Sequence, residues 1–108
     1  MWRCTVCNFT MEGESLPEKC PKCGAPKDKL VVLEEKQAEL VKRSQKTNDL
    51  HMELAGLMDK VLVVAKEGEE DNLDPGCVKV FQTAREQAVI IKQMIKAELQ
   101  GHVNKGKW

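Results

Sequence analysis

The chain of 108 residues is predicted to form a small loop-rich knob followed by a mainly α antiparallel helical hairpin. Three observations carry this. The first 30 residues hold three of the four prolines and four of the five cysteines, with few apolar positions and no apolar period. From residue 31 the composition turns to Glu, Lys, Gln, Leu, Val and Ala, and apolar residues recur every seven places. A single Asp74-Pro75 step then interrupts the helical pattern. The expected units are 1–30, a metal-binding knob; 31–101, the hairpin; and 102–108, a flexible tail.

Residues 1–30 are too poor in apolar side chains to offset their chain entropy by burial, so they need a staple. Cys4, Cys7, Cys20 and Cys23 read C-x2-C, a twelve-residue spacer and C-x2-C. Two such turns can each deliver a pair of thiolates to one tetrahedral ion. No strand-helix-strand pattern surrounds either pair, which argues against a thioredoxin-like redox pair, and the spacing argues against a disulfide framework. A tight knuckle needs a residue with positive φ after its second cysteine. Gly24 and Asn8 stand there, and glycine and asparagine tolerate that conformation best. The amides of Lys22, Cys23 and Ala25, and in the first turn those of Val6, Cys7 and Phe9, are the expected donors to sulfur, while Pro21 and Pro26 fall where no N–H is required.

The first helix is expected from about Lys29 or residue 31, with Leu33, Leu40, Thr47, Leu54 and Val61 along its stripe; KRSQKTND (42–49) reads as the solvated middle of one long helix, the favoured reading, or as a break between two. Gly68 to Asp74, which includes Glu67's acidic neighbours Glu69, Glu70 and Asp71, reads as a loop. Asp74 then caps a second helix with Pro75 at its first position, running to about Gln100 and stopped by Gly101. Its inward stripe is Cys77, Phe81, Ala84, Ala88, Ile91 and Ile95. Residues 31–74 carry six basic and eleven acidic side chains, and residues 75–108 six basic and two acidic, so the halves attract. Val80, Val89, Ile90 and Met94 lie off the inward stripe. That surplus implies a homo-oligomer formed through the hairpin, two hairpins making a four-helix bundle.

Trp2-Arg3-Cys4-Thr5-Val6-Cys7, Gly13, Pro17, Cys20-Pro21-Lys22-Cys23-Gly24-Ala25-Pro26 and the apolar Leu30 together resemble the rubredoxin-like domain of rubrerythrins, over residues 2 to about 30. Asn8, Phe9 and Leu30 stand where that pattern has Gly, Tyr and Phe. The resemblance implies one iron held by the four cysteines and passing single electrons, to and from a redox partner protein, with Arg3, Lys19, Lys22, Lys27 and Lys29 near the changing charge. Zinc on the same ligands gives instead a zinc-ribbon knob that presents the helices as a non-redox adaptor. The Glu-x-x-His motifs of a rubrerythrin di-iron centre are missing: Asn48 precedes His51 and Leu99 precedes His102 at that spacing.

Other function classes find little support. Seventeen basic and seventeen acidic side chains leave no net field for nucleic acid or anionic lipid, and the longest apolar run, Val61 to Ala65, is far short of the roughly 20 residues of a membrane span. No nucleophile with a base, phosphate-cradling glycine loop or carboxylate pair is apparent, so no enzyme is expected. The chain has no visible signal peptide and is expected to be cytoplasmic. Cys77 reads as a small helix-face hydrophobe, His51 as a helix-face residue, Trp2 as packing over the metal knob, and Trp108 as part of a frayed end.

Overall fold

The computed structural model describes all 108 residues. A three-stranded antiparallel sheet forms the knob, with β1 (Trp2–Cys4) between β2 (Thr10–Met11) and β3 (Leu30–Val32). Two helices follow, α1 (Glu35–Asp71) and α2 (Pro75–Asn104), packed as an antiparallel hairpin in a molecule 62 Å long. No helix is long and apolar enough to cross a membrane.

The knob reaches further than residue 30. Val31 and Val32 are β-branched and extend the chain along the free side of β1, pairing Trp2 with Val32 and Arg3 with Val31. The helix expected from Lys29 or residue 31 therefore begins at Glu35, after a 3-10 turn over Lys27–Lys29 and this strand. It is one continuous helix, polar middle included, because Val41, Ser44 and Asn48 are buried on one of its sides. Ser44 returns its hydroxyl to the Leu40 carbonyl, which satisfies it locally.

Gly68 lies inside α1 and not in the connecting loop. A Cβ on it would come within 2.3 Å of ring carbons of Phe81, so the glycine is there to let the two helices close around that ring. The actual stop is Asn72, in the left-handed region at φ 49°, with its N–H on the Gly68 carbonyl. The interhelix loop is accordingly short, and Glu69 is a helical residue paired across the hairpin with Arg85 at 2.8 Å. Lys92 pairs likewise with Asp59. Both pairs join a cation of α2 to a carboxylate of α1, the sense expected from the charge of the two halves. Gly68→Leu forces Phe81 out of its seat, and we expect it to lower stability by about 1–3 kcal/mol in urea unfolding; Gly56→Ala, at a helical position with nothing within 4 Å of the added carbon, is the control that should not.

Asp74 caps α2 as expected, accepting the Cys77 N–H at 2.7 Å, while the Cys77 thiol donates to its other oxygen at 3.4 Å. These bonds, the amide first, hold the Asp74 carboxyl below its ordinary value of 3.8. A group depressed in the folded state adds stability above its unfolded value and loses it as pH falls through the folded one. Asp74→Ala is therefore expected to lower the thermal midpoint by roughly 4–8 °C near neutral pH, and the gap to the parent should close as the titration moves well below 3.8.

The C-terminal segment is not a free tail. Helix α2 passes through Gly101 and ends at Asn104, where Lys107 N–H returns to the His102 carbonyl and Gly106 N–H to that of Val103. With Gly106 at φ 73°, this is a Schellman motif, so the terminating glycine is Gly106. Gly101 stays helical because the turn after it carries His102, which is buried. His102 Nδ1 meets Asn48 Oδ1 at 2.5 Å, Asn48 Nδ2 donates to the Lys107 carbonyl at 2.8 Å, and Glu98 Oε1 stands 3.4 Å from His102 Nε2. The amide of Asn48 thus fixes the histidine proton on Nδ1. His51 packs edge-on against the same ring at a centroid distance of 6.1 Å.

Candidate metal centre

Two loops of the same construction face each other in the knob. In the first, Asn8 N–H donates to the Cys4 carbonyl at 2.9 Å and Cys4 N–H to the Phe9 carbonyl at 2.8 Å. In the second, Gly24 N–H donates to the Cys20 carbonyl at 2.9 Å and Cys20 N–H to the Ala25 carbonyl at 2.8 Å. Asn8 and Gly24 take the same role, at φ 61° and 73°. Nothing crowds a Cβ at Gly24, so glycine serves there for its backbone freedom alone.

The loops bring all four sulfur atoms of Cys4, Cys7, Cys20 and Cys23 within 4.8 Å of one another. Cys4 Sγ lies 3.7 Å from Cys23 Sγ and Cys7 Sγ 3.7 Å from Cys20 Sγ. Four thiolates about 2.3 Å from a central ion occupy a tetrahedron with edges of about 3.8 Å. The donor set and its spacing therefore fit one tetrahedral, thiolate-bound metal, and the sulfurs are too far apart to be disulfides.

Backbone amides prepare the second pair for that charge. Cys20 is buried, which works against its thiolate, but the N–H groups of Cys23 and Lys22 and the thiols of Cys23 and Cys7 bring its pKa down to about 6. The Ala25 N–H favours the Cys23 thiolate, but partial desolvation within the cluster and the neighbouring sulfurs of Cys7, Cys20 and Cys4 outweigh it and push Cys23 up to about 12. Lys22, Cys23 and Ala25 are the donors expected from the spacing. Holding four thiolates thus requires a cation to displace the protons that the crowded sulfurs retain.

The surroundings divide the site into an inner and an outer half. Cys4 and Cys20 form the core of the knob with Trp2 and Leu30, and Phe9, Leu16 and Ala25 pack against it. Trp2 and Phe9 meet as tilted rings 5.7 Å apart. Cys23 is exposed and Cys7 half-buried. Of the five cations expected to face the site, Arg3 turns away, donating to Thr10 Oγ1 at 2.9 Å and the Trp108 carbonyl at 2.8 Å. Lys27 pairs with Glu18 at 3.0 Å and Lys29 lies 3.8 Å from Asp28, leaving Lys19 and Lys22 without ion-pair partners. A cavity of about 360 Å³ separates the Cys7 loop from α1, with Phe9, Met11, Val41, Met52 and Trp108 in its wall.

The profile of the rubredoxin-like domain of rubrerythrin matches residues 2–30. Those residues are rubredoxin-like. The same stretch is similar to Reverse rubrerythrin-1 of Clostridium acetobutylicum, with 57% identity over 30 residues. That overlap covers 28% of this chain and 17% of the relative's length, so it is confined to the rubredoxin-like knob. No solved structure matches the chain. Cys77, half-buried at the start of α2, belongs to no metal cluster and serves the Asp74 cap; His51 packs on His102. His102, which the sequence placed in a free tail, and Ser44 and Asn48, which it placed in a solvated middle, are the buried polar residues missed. The position of His102 seven residues after Ile95, in step with the inward stripe, is the signal that marks it.

Proposed function

We propose that the chain is a small one-electron carrier in the cytoplasm, with one iron held by Cys4, Cys7, Cys20 and Cys23, and that it exchanges electrons with a redox partner protein and is not itself an enzyme. The observation that carries this reading is the asymmetry of the sulfur cluster. Cys4 and Cys20 are buried in the core with Trp2 and Leu30, whereas Cys7 is half-buried and Cys23 exposed. Bound iron supplies a ferrous–ferric couple at a tetrahedron of thiolates, whereas zinc supplies none. The protein holds that tetrahedron in place through two rigid knuckles, so little ligand rearrangement accompanies a change of charge. Amide donors spread the sulfur charge, and the open edge at Cys23, next to unpaired Lys22 in the chain, offers a partner a short approach, as does the turn at Cys7, next to exposed Val6. The match to a domain named for rubrerythrin favours iron.

Visible absorption after anaerobic, iron-replete expression tests the reading. A red protein with about one iron per chain that bleaches with dithionite is expected. A colourless protein with stoichiometric zinc would instead establish the non-redox zinc-ribbon adaptor, whose work is done by the hairpin.

A further inference from the structure

The hairpin leaves one broad face uncovered. On α1, Leu50, Leu57 and Val64 recur at seven-residue steps beside the inward stripe, and on α2 Val80, Gln87 and Met94 do the same. Leu57, Val61 and Val64 join Val80, Phe81 and Ala84 along one apolar groove of about 410 Å³, so the two rows share a side of the hairpin. Lys60 is the groove's single charged residue. Val64, Val80 and Met94 are 59%, 66% and 63% exposed, although a monomer gains nothing by leaving them in water.

Each row extends over about 21 Å of helix, and the pair spans two helix widths, about 20 Å. That plan area is on the order of 400 Å², and side-chain relief makes it larger than the few hundred Å² of apolar patch that a monomer commonly leaves open. Charge selects the occupant. Helix α1 carries six basic and nine acidic side chains and α2 four basic and two acidic. A uniformly acidic partner is repelled by one helix and a uniformly basic partner by the other. A second copy, turned about the hairpin's long axis, sets each α1 against the other's α2 and satisfies both.

We propose that a second copy of this chain covers this face, and that the two hairpins form a four-helix bundle. The interface is independent of which metal the knob holds and of whether the knob carries electrons. Sedimentation equilibrium of the metal-loaded full chain at micromolar concentration should give twice the 12.2 kDa chain mass. Val64→Lys combined with Val80→Lys should halve that mass while helical circular dichroism is retained, since both side chains are open to water in the single hairpin. Val89→Lys, 45% exposed on the opposite flank of α2, should leave the doubled mass unchanged. A single-chain mass for the parent protein, a mass of three or more chains, or a double variant that stays paired would overturn the proposal.

Discussion

Replacing Cys20 with serine, or stripping the metal with a chelator, is expected to abolish the fold of the knob and leave the hairpin standing. Half of the knob's buried core consists of two ligand sulfurs, Cys4 and Cys20, with only Trp2 and Leu30 beside them. The rest is three strands of two or three residues each, too short to hold alone. Free energy of metal binding in such a unit is free energy of folding, on the order of 10 kcal/mol for structural zinc sites. Near-ultraviolet dichroism and emission of Trp2 should therefore shift to values of exposed indole, and hydrogen exchange should become fast in residues 1–33. Far-ultraviolet dichroism should persist, because it arises from the 37 residues of α1 and the 30 of α2. Restoring the metal to stripped parent protein should reverse the change, but Cys20→Ser should not respond. Retention of an ordered Trp2 without metal would contradict this reading of the core.

The second large effect is expected at Asn48, which has no charge and no role in the metal site. Its amide accepts from His102 and donates to the Lys107 carbonyl, and its side chain is buried between them. Asn48→Ala removes both bonds and leaves the imidazole N–H and a carbonyl without partners. A buried group stranded in this way costs about 1–3 kcal/mol, so the variant should lose about 2–4 kcal/mol in chemical unfolding. Thr47→Ala, one residue away and exposed, should change stability by less than about 0.5 kcal/mol. The loss should reach the knob as well. The same C-terminal segment offers the Trp108 carbonyl to Arg3, so Asn48→Ala should raise hydrogen exchange at β1 as well as at the end of α2.

What could be read from residues alone follows the range of the interactions involved. The knuckles are local: two cysteines three apart, a residue able to take positive φ and amides at fixed offsets are all within six residues, so Asn8, Gly24 and the donors Lys22, Cys23 and Ala25 were legible. The Asp74-Pro75 cap is local in the same way. By contrast, β3 exists because β1, some thirty residues earlier, has a free side for Val31 and Val32. Gly68 reads as a loop residue until Phe81 is placed over it. Gly101 and Gly106 are equal candidates for a helix stop, and only the burial of His102 against Asn48 selects the later one. The boundary at residue 30 and the free tail fail for this shared reason: each depends on a partner that chain order does not reveal.

The account rests on one ion at the meeting point of four cysteine sulfurs. X-ray absorption at the metal edge of the protein as isolated tests this most directly. Four sulfur scatterers at about 2.3 Å and no lighter ligand are expected. A shell containing nitrogen or oxygen, or a protein with no bound metal and its cysteines joined in pairs, would contradict it.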